Sequence, residues 1–530
     1  MTEAPISPGL DAESLAELRV KLDDCTRNHQ CVGARNAELP KRLLDLKPYT
    51  TSPDRIRLVE TAEDVPRISD QIIDYAVLSY CWGTMTAFTT TSATLRSRRG
   101  GFDVAPMPAT LRDTVEVARN MGFRYLWIDA LCILQGTRED EVAAADWQEE
   151  AARMHWIYGN ASLCIVAAGA SDSCQGLMHK DPRVTTDEGI AEWLAKGKIP
   201  IGCEPISSRA WCFQEWLLPS RLLVSASTGV YYTCGQHVLN ASDPDYDFRF
   251  PRSRQDLIAL EDEAPASRRN GSWQIMAMNY CNRSMTVPDD KLPALSGMAQ
   301  RYASLMGWPH GDYLAGLWRS TLVSDLLLVR QEGISSISAS PEPSTTGRRY
   351  SRAPSWSWAS MDGSIVYHSL RDPQVPETVH VHSCVTTKAG VGGDPFGQVV
   401  SGQLDLGCPY MKAWARPLVQ EEGELYFLLL DADDEFVSLL TVDDPAEMDA
   451  DRVIMSTGLR FLPTGPSDQS KDIMVYCLGL MFGDSARKSD DGVRWEGIAV
   501  RQLADNNYAR VGTWGTEEFK PVGESRFIIV

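Results

Sequence analysis

One carboxylate lies among large apolar side chains in segment 208–221, S-R-A-W-C-F-Q-E-W-L-L-P-S-R. An ionised carboxylate such as Glu215 is costly in apolar surroundings unless it has a partner or a chemical task. The segment permits two interpretations. One is a structural ion pair of Glu215 with Arg209 or Arg221, which flank it. The other is a carboxylate held ready for catalysis in a partly dry cleft.

The elements before this segment predict an α/β fold. Short apolar runs at Tyr75–Cys81, Phe123–Ile128 and Leu163–Ala168 are typical of buried strands. Helical periodicity over residues 111–121 and an amphipathic pattern over Glu139–Tyr158 separate these runs. This alternation of strands and helices predicts a parallel sheet with right-handed crossovers.

Ligands of parallel sheets bind in the crevice outside the carboxyl ends of the strands. Polar or aromatic side chains follow each predicted strand, so the three groups are expected to meet at one edge of the sheet. The groups are Ser79, Tyr80, Cys81, Trp82 and Gly83; Asp129, Cys132 and Gln135; and Arg209, Trp211 and Glu215. This convergence favours a functional role for Glu215.

Each neighbour of Glu215 also has a structural explanation. Trp82 and Trp211 are large enough to serve only as core packing, and Asp129 at a strand end can cap a turn. Cys132 is expected to be a buried thiol, because no His is close in sequence to act as its base.

Composition limits the function classes. The chain has 530 residues and a formal net charge of −20, which disfavours nucleic-acid and membrane-surface binding. The acidic N-terminus lacks a targeting signal, and no apolar run approaches the ~20 residues of a membrane span. The 13 cysteines are an odd number without a framework, which indicates thiols in a reducing compartment and predicts a cytoplasmic protein.

Two groups of His and Cys residues have the side chains of metal ligands but neither is expected to bind a metal. No C-x-x-C or H-E-x-x-H motif is present, and no matching second pair is evident near the alternating group. The groups are Cys25, His29 and Cys31, and His380, His382 and Cys384.

Composition and periodicity divide the chain into four regions. We expect a leader over 1–35, the α/β domain over 36–235, a helical accessory region over 236–345 and a β-rich region over 346–530. Within the accessory region, helical patterns are present at Leu292–Tyr302 and Tyr313–Leu328, and the Pro-, Ser- and Thr-containing stretch 341–347 is expected to be a linker-like break. The Gly-, Ser- and Pro-rich stretch 170–207 is expected to be a long loop within the α/β domain.

The motifs at the strand ends resemble the fungal heterokaryon-incompatibility (HET) domain. Three later segments resemble sequences that accompany that domain: 289–297 (DDKLPALSG), 313–318 (YLAGLW) and 353–360 (APSWSWAS). The four motifs of the domain itself are 75–83 (YAVLSYCWG), 123–135 (FRYLWIDALCILQ), 154–161 (MHWIYGNA) and 208–215 (SRAWCFQE).

The resemblance implies a cytoplasmic fungal protein of non-self recognition and regulated cell death, a form of innate immunity. HET domains are distantly similar to Toll/interleukin-1 receptor (TIR) domains, which have a flavodoxin-like sheet and include members that cleave NAD. The TIR pattern W-C-x-x-E matches Trp211, Cys212 and Glu215, and its glutamate is catalytic in the NAD-cleaving members. The stretch 170–207 has no counterpart in a minimal TIR domain.

By that resemblance the chain is expected to be an NAD glycohydrolase with NAD or a related nucleotide as substrate, Glu215 as catalyst and no cofactor. The residues expected to bind the substrate are Ser79, Tyr80, Trp82, Gly83, Asp129, Cys132, Gln135, Arg209 and Trp211. One alternative is a non-enzymatic signalling module that acts by homo-oligomerisation or by binding a protein partner. Another is an enzyme of a different class, a transferase or hydrolase, built on the same crevice.

Overall fold

The computed structural model describes most of the chain. The described residues are 10, 12–29, 31, 39–47, 52, 54–65, 73–83, 88–137, 139–182, 203–234, 238–240, 266–331, 352–367, 371–389, 394–419, 425–430, 436–442, 473–484, 493–503, 506–516, 519 and 521–530. The predicted loop 170–207 is therefore described only in part, and the Pro- and Ser-rich break at 341–347 lies outside the described residues.

The N-terminal half of the described chain builds one mixed sheet. Its strands are β1 (Arg42–Asp45), β2 (Arg55–Glu60), β3 (Tyr75–Ser79), β4 (Phe102–Asp103), β5 (Tyr125–Trp127), β6 (Leu163–Ala167), β7 (Arg221–Ala226), β8 (Gly229–Cys234) and β9 (Val238–Asn240). Their spatial order is β4-β2-β1-β5-β3-β6-β7-β8-β9.

The centre of this sheet is parallel, as the sequence predicts. Strand β3 pairs in parallel with β5 and β6, and β6 pairs in parallel with β7. Numbered along the chain, these four strands have the order 2-1-3-4, which is that of flavodoxin-like sheets. The flanks differ from a purely parallel sheet, because β1, β2 and β4 on one side and β8 and β9 on the other are antiparallel.

Helices connect and cover the strands. They are α1 (Ala12–Asn28), α2 (Thr61–Asp64), α3 (Leu95–Gly100), α4 (Ala109–Asn120), α5 (Asp129–Cys132), α6 (Glu141–Asn160), α7 (Cys212–Leu217), α8 (Ala266–Cys281), α9 (Pro293–Met306) and α10 (Leu322–Asp325).

Local sequence explains where the two longest crossover helices begin and end. Helix α4 ends before Gly122, whose φ of 84° lies in the left-handed region that a residue with a side chain rarely adopts. Helix α6 begins after Asp140, whose carboxylate accepts a hydrogen bond from the Ala143 amide at 3.1 Å. Both helices agree with the sequence prediction to within about two residues at each end.

Helix α1, within the predicted leader, packs into the core of the sheet. Its apolar face consists of Leu15, Leu18 and Leu22, which are buried in the same cluster as the central strands. These residues recur at intervals of three and four, so a single helical face carries them.

The predicted helix over 313–328 is wrong. This stretch forms the short strands β10 (Tyr313–Leu314) and β11 (Leu317–Trp318), then helix α10 and strand β12 (Leu328–Gln331). Ala315 and Gly316 have φ of 51° and 98°, which ends a right-handed helix, and they turn the chain between β10 and β11. The predicted helix at 292–302 is confirmed as α9.

The C-terminal region is β-rich, as predicted. Its strands are β13 (Ser364–Tyr367), β14 (Arg371–Gln374), β15 (His380–Lys388), β16 (Val399–Val419), β17 (Leu425–Leu430), β18 (Phe436–Val442), β19 (Ile473–Asp484), β20 (Val493–Gln502), β21 (Tyr508–Thr516) and β22 (Gly523–Ile529). Strand β13 pairs with β12, and the others form one sheet.

None of the helices in the described part of the chain has the length and hydropathy that crossing a membrane requires.

Candidate functional site

Helix α7, which carries Glu215, is held between two hydrophobic cores. Cys212 and Trp216 belong to the core of the N-terminal sheet, whereas Phe213 and Leu217 belong to the core that α8, α9 and the C-terminal strands share. Residues four apart lie on one face of a helix, so each pair marks a separate buried face. Glu215 lies on the same helix, on the side away from the Phe213–Leu217 face, and is only 5% exposed.

The Glu215 carboxylate is bonded to the end of the central strand. The hydroxyl of Ser79, the last residue of β3, donates a hydrogen bond of 2.5 Å to Glu215 Oε2. Strand β3 lies between β5 and β6, where the strand order reverses, and that is the usual ligand position in sheets of this kind.

Burial disfavours the charged form of Glu215. It raises the pKa of this carboxyl to about 7; the bond from Ser79 opposes the rise, and the negative charge of Asp129 adds to it. At neutral pH the group therefore exchanges between its acid and its carboxylate form, which is the condition for proton transfer or charge stabilisation.

A second carboxyl, Asp129, begins the one-turn helix α5 after β5. Its Oδ2 accepts a hydrogen bond of 2.7 Å from Trp82 Nε1, and its Oδ1 accepts one of 2.7 Å from the Ala130 amide. Burial raises the pKa of Asp129 despite these bonds. The charge of Asp129, which follows β5, thus acts on the carboxyl group of Glu215 on α7.

Aromatic rings lie beside Asp129 and at the start of α7. Tyr80 and Trp82 are stacked, with ring centroids 6.5 Å apart and an interplanar angle of 18°. Trp211 meets Trp147 edge to face at 6.1 Å, and its Nε1 donates a hydrogen bond of 3.2 Å to Asp290. Trp82 and Trp211 are half-buried, so both retain accessible ring surface.

The structural ion pair is not found among the described residues, where no Arg or Lys nitrogen lies within 4.0 Å of Glu215. Arg209 instead donates from Nη1 to the Tyr80 carbonyl at 2.5 Å. Its charge still lowers the pKa of Glu215. Arg221 donates to Cys25, away from Glu215.

Gly83 and Gln135, two further predicted residues, have local contacts. Gly83 has a φ of 69°, and a Cβ there would lie 1.9 Å from the Asp172 carboxylate, so a residue with a side chain would be strained at this position. Gln135 is half-buried, and its side-chain amide donates to the Ile133 carbonyl at 3.3 Å.

Cys132 differs from the other predicted residues. Its side chain is completely buried, and burial raises the pKa of its thiol to about 12. Its carbonyl accepts a hydrogen bond of 2.8 Å from Arg42, which ties α5 to β1. These contacts agree with a structural thiol.

Sequence reasoning missed two polar residues that support α7 from the accessory region. The Arg283 guanidinium donates from Nη1 to the Arg209 carbonyl at 3.2 Å and lies over the Phe213 ring at 4.9 Å. Burial lowers its pKa to about 10. Asp290 holds Trp211, as described above. The segment 289–297, which resembles a sequence that accompanies the domain, contains Asp290 and could have indicated this residue.

The same segment brings α9 against α6 and α7. At Gly297 a Cβ would lie 2.2 Å from His155 Cβ and 2.8 Å from Gln214 Oε1. The accessory region is thus packed directly on the helix that carries Glu215, and glycine permits this approach.

Comparison with known proteins assigns the part of the chain that builds this site. Residues 75–215 match the family model described as Heterokaryon incompatibility protein (HET), from the first residue of β3 to Glu215. No curated protein and no solved structure matches the chain. Residues 75–215 are therefore assigned as a HET domain, which the family description associates with heterokaryon incompatibility.

Proposed function

We propose that this HET-domain protein is an NAD glycohydrolase that acts in the cytoplasm during regulated cell death. In this proposal Glu215 is the catalytic carboxylate. The observation that carries the proposal is the buried Ser79–Glu215 pair at the carboxyl edge of a parallel sheet, joined at 2.5 Å and set beside a second carboxyl group.

The reaction requires one stabilised positive charge. The bond between ribose C1′ and the pyridinium nitrogen breaks, its electron pair passes to that nitrogen, and neutral nicotinamide leaves. Positive charge develops on the ribose as in glycoside cleavage. The Glu215 carboxylate stabilises this charge, since a fixed anion acts strongly in a water-poor site.

Hydrolysis then completes the reaction. The oxygen of a water molecule bonds to C1′, its proton passes to Glu215 or to solvent, and ADP-ribose is the product. A pKa of about 7 suits Glu215 to take up and release that proton near neutral pH.

The neighbouring side chains have the chemistry to bind the remainder of NAD. The half-buried Trp82 ring is fixed by its bond to Asp129 and offers a flat π face to the cationic nicotinamide ring. Trp211 offers a similar face to adenine. Arg209 supplies a cation for the pyrophosphate.

The experiment is to incubate the purified full-length protein with NAD and to separate nicotinamide and ADP-ribose by chromatography. Monomeric and concentrated fractions are assayed separately, because a signalling enzyme can depend on self-association. We expect stoichiometric release of both products in at least one fraction. If none releases nicotinamide, the proposal is wrong and a non-enzymatic signalling role is favoured.

A further inference from the structure

We propose that Cys25, His29, Cys31 and Cys234 bind a structural Zn²⁺ ion. One ligand atom of each residue lies within 4.8 Å of the others. Cys25 is in the last turn of α1, His29 and Cys31 follow that helix, and Cys234 is the last residue of β8. Three thiols and one imidazole are the Cys₃His ligand set of closed structural zinc sites.

One distance can be compared directly with zinc geometry. Cys234 Sγ and His29 Nδ1 are 3.6 Å apart. Tetrahedral coordination with Zn–S of about 2.3 Å and Zn–N of about 2.1 Å requires a sulfur–nitrogen separation of about 3.6 Å. The pair is therefore already spaced for a shared ion.

The charge around the cluster also suits thiolate ligands. Arg221, itself buried, donates from Nε to Cys25 Sγ at 3.1 Å. Within the described part of the chain, Arg221 forms no ion pair with a carboxylate. Zn²⁺ with three thiolates carries a net charge of −1, which the guanidinium neutralises. Such a hydrogen bond to a ligating sulfur is a common support of metal sites.

The fold gives the ion a structural task. Arg221 and Cys234 are paired residues on β7 and β8. They lie at the opposite end of the parallel strands from Ser79. His29 and Cys234 are 205 positions apart, so one ion fastens α1 to the sheet across a long loop. The proposal departs from the sequence expectation of no metal, because the fourth ligand, Cys234, is distant in the chain from the other three.

The test measures metal content in the full-length protein purified under reducing conditions without chelators. We expect about one zinc ion per chain by mass spectrometry of the metal. Cys25→Ser and Cys234→Ser are each expected to lower the zinc content at least about tenfold. Cys174→Ser is the matched control, because Cys174 is an exposed cysteine outside the cluster, and its zinc content is expected to stay unchanged.

Addition of Co²⁺ to the metal-free wild-type protein provides a second readout that requires no variant to fold. Tetrahedral thiolate coordination is expected to give an intense sulfur-to-cobalt charge-transfer band and visible d–d bands. Zinc below about a tenth of an ion per chain together with no such bands would overturn the proposal. Zinc content equal in all three serine variants would also overturn it.

Discussion

Ser79 and Glu215 are joined by a hydrogen bond of 2.5 Å although 136 positions separate them in the chain. Ser79 is the last residue of the central strand β3, and Glu215 lies on helix α7, between β6 and β7 in the chain. The bond therefore holds the carboxylate at the carboxyl ends of the parallel strands. The first two predictions concern this bond and the charge that it supports.

Replacing Ser79 by Ala removes a donor that lowers the pKa of Glu215. The pKa of Glu215 should then rise above about 7, and a smaller fraction of the carboxylate form remains at neutral pH. We expect the pH profile of nicotinamide release to shift to higher pH, with a rate at pH 7 lower by about tenfold. The same profile for wild type and Ser79→Ala would contradict this role.

The control for that variant is Ser225→Ala. Ser225 is also a buried strand serine, and its hydroxyl donates to the Leu177 carbonyl at 2.5 Å, outside the carboxyl pair. The Ser225→Ala variant should have the same pH profile of nicotinamide release as the wild type, even if its melting temperature is lower.

Glu215→Gln tests the electrostatic cost of the buried charge. The pKa of Glu215 is raised from 4.5 to about 7 on folding, so the native state binds its proton more tightly than the unfolded state. Wild-type stability therefore falls as pH rises from about 4.5 to about 7, by an amount on the order of 3 kcal/mol. The neutral glutamine avoids this loss.

We accordingly expect Glu215→Gln to be more stable than wild type at pH 8 and closer to it at pH 5. Denaturant unfolding at both pH values measures the difference. A variant less stable than wild type at pH 8 would instead indicate a stabilising ion pair.

Gly297→Ala tests the packing of the accessory region on the HET domain. Its Cβ would meet His155 Cβ at 2.2 Å, so α9 and α6 must separate. We expect a loss of about 1–3 kcal/mol in the free energy of unfolding. Gly100→Ala is the control, because a Cβ there has no neighbour within 4 Å. Equal stability of the two variants would contradict the close approach.

The sequence predicts the centre of the fold well and its periphery less well. The apolar run at Tyr75–Cys81 and the periodicity over Glu139–Tyr158 are local signals, and β3 and α6 follow them. The helical prediction over 313–328 failed because the backbone at Ala315 and Gly316 reverses the chain. The antiparallel flanks of the sheet depend on pairings that no local pattern determines.

The candidate site also contains residues that the sequence predicts and residues that it does not. The W-C-x-x-E spacing and the position of ligands at strand carboxyl ends predict that Ser79, Asp129 and Glu215 belong to one site. Arg283 and Asp290 reach the site only because the accessory region packs against α7. The spacing of residues within a motif does not predict such a contact between distant parts of the chain. Cys234 is likewise distant in the chain from Cys25, His29 and Cys31, so the sequence does not indicate that these four residues lie together.

The most direct test of the account is the rate of nicotinamide release from NAD by wild type and by Glu215→Gln at pH 8. Glutamine preserves shape and removes the charge, and circular dichroism confirms that both proteins are folded. We predict release by the wild type and a rate at least about 100-fold lower in the variant. Release that survives in Glu215→Gln would contradict the catalytic role of Glu215, and no release by the folded wild type in any oligomeric state would contradict NAD cleavage itself.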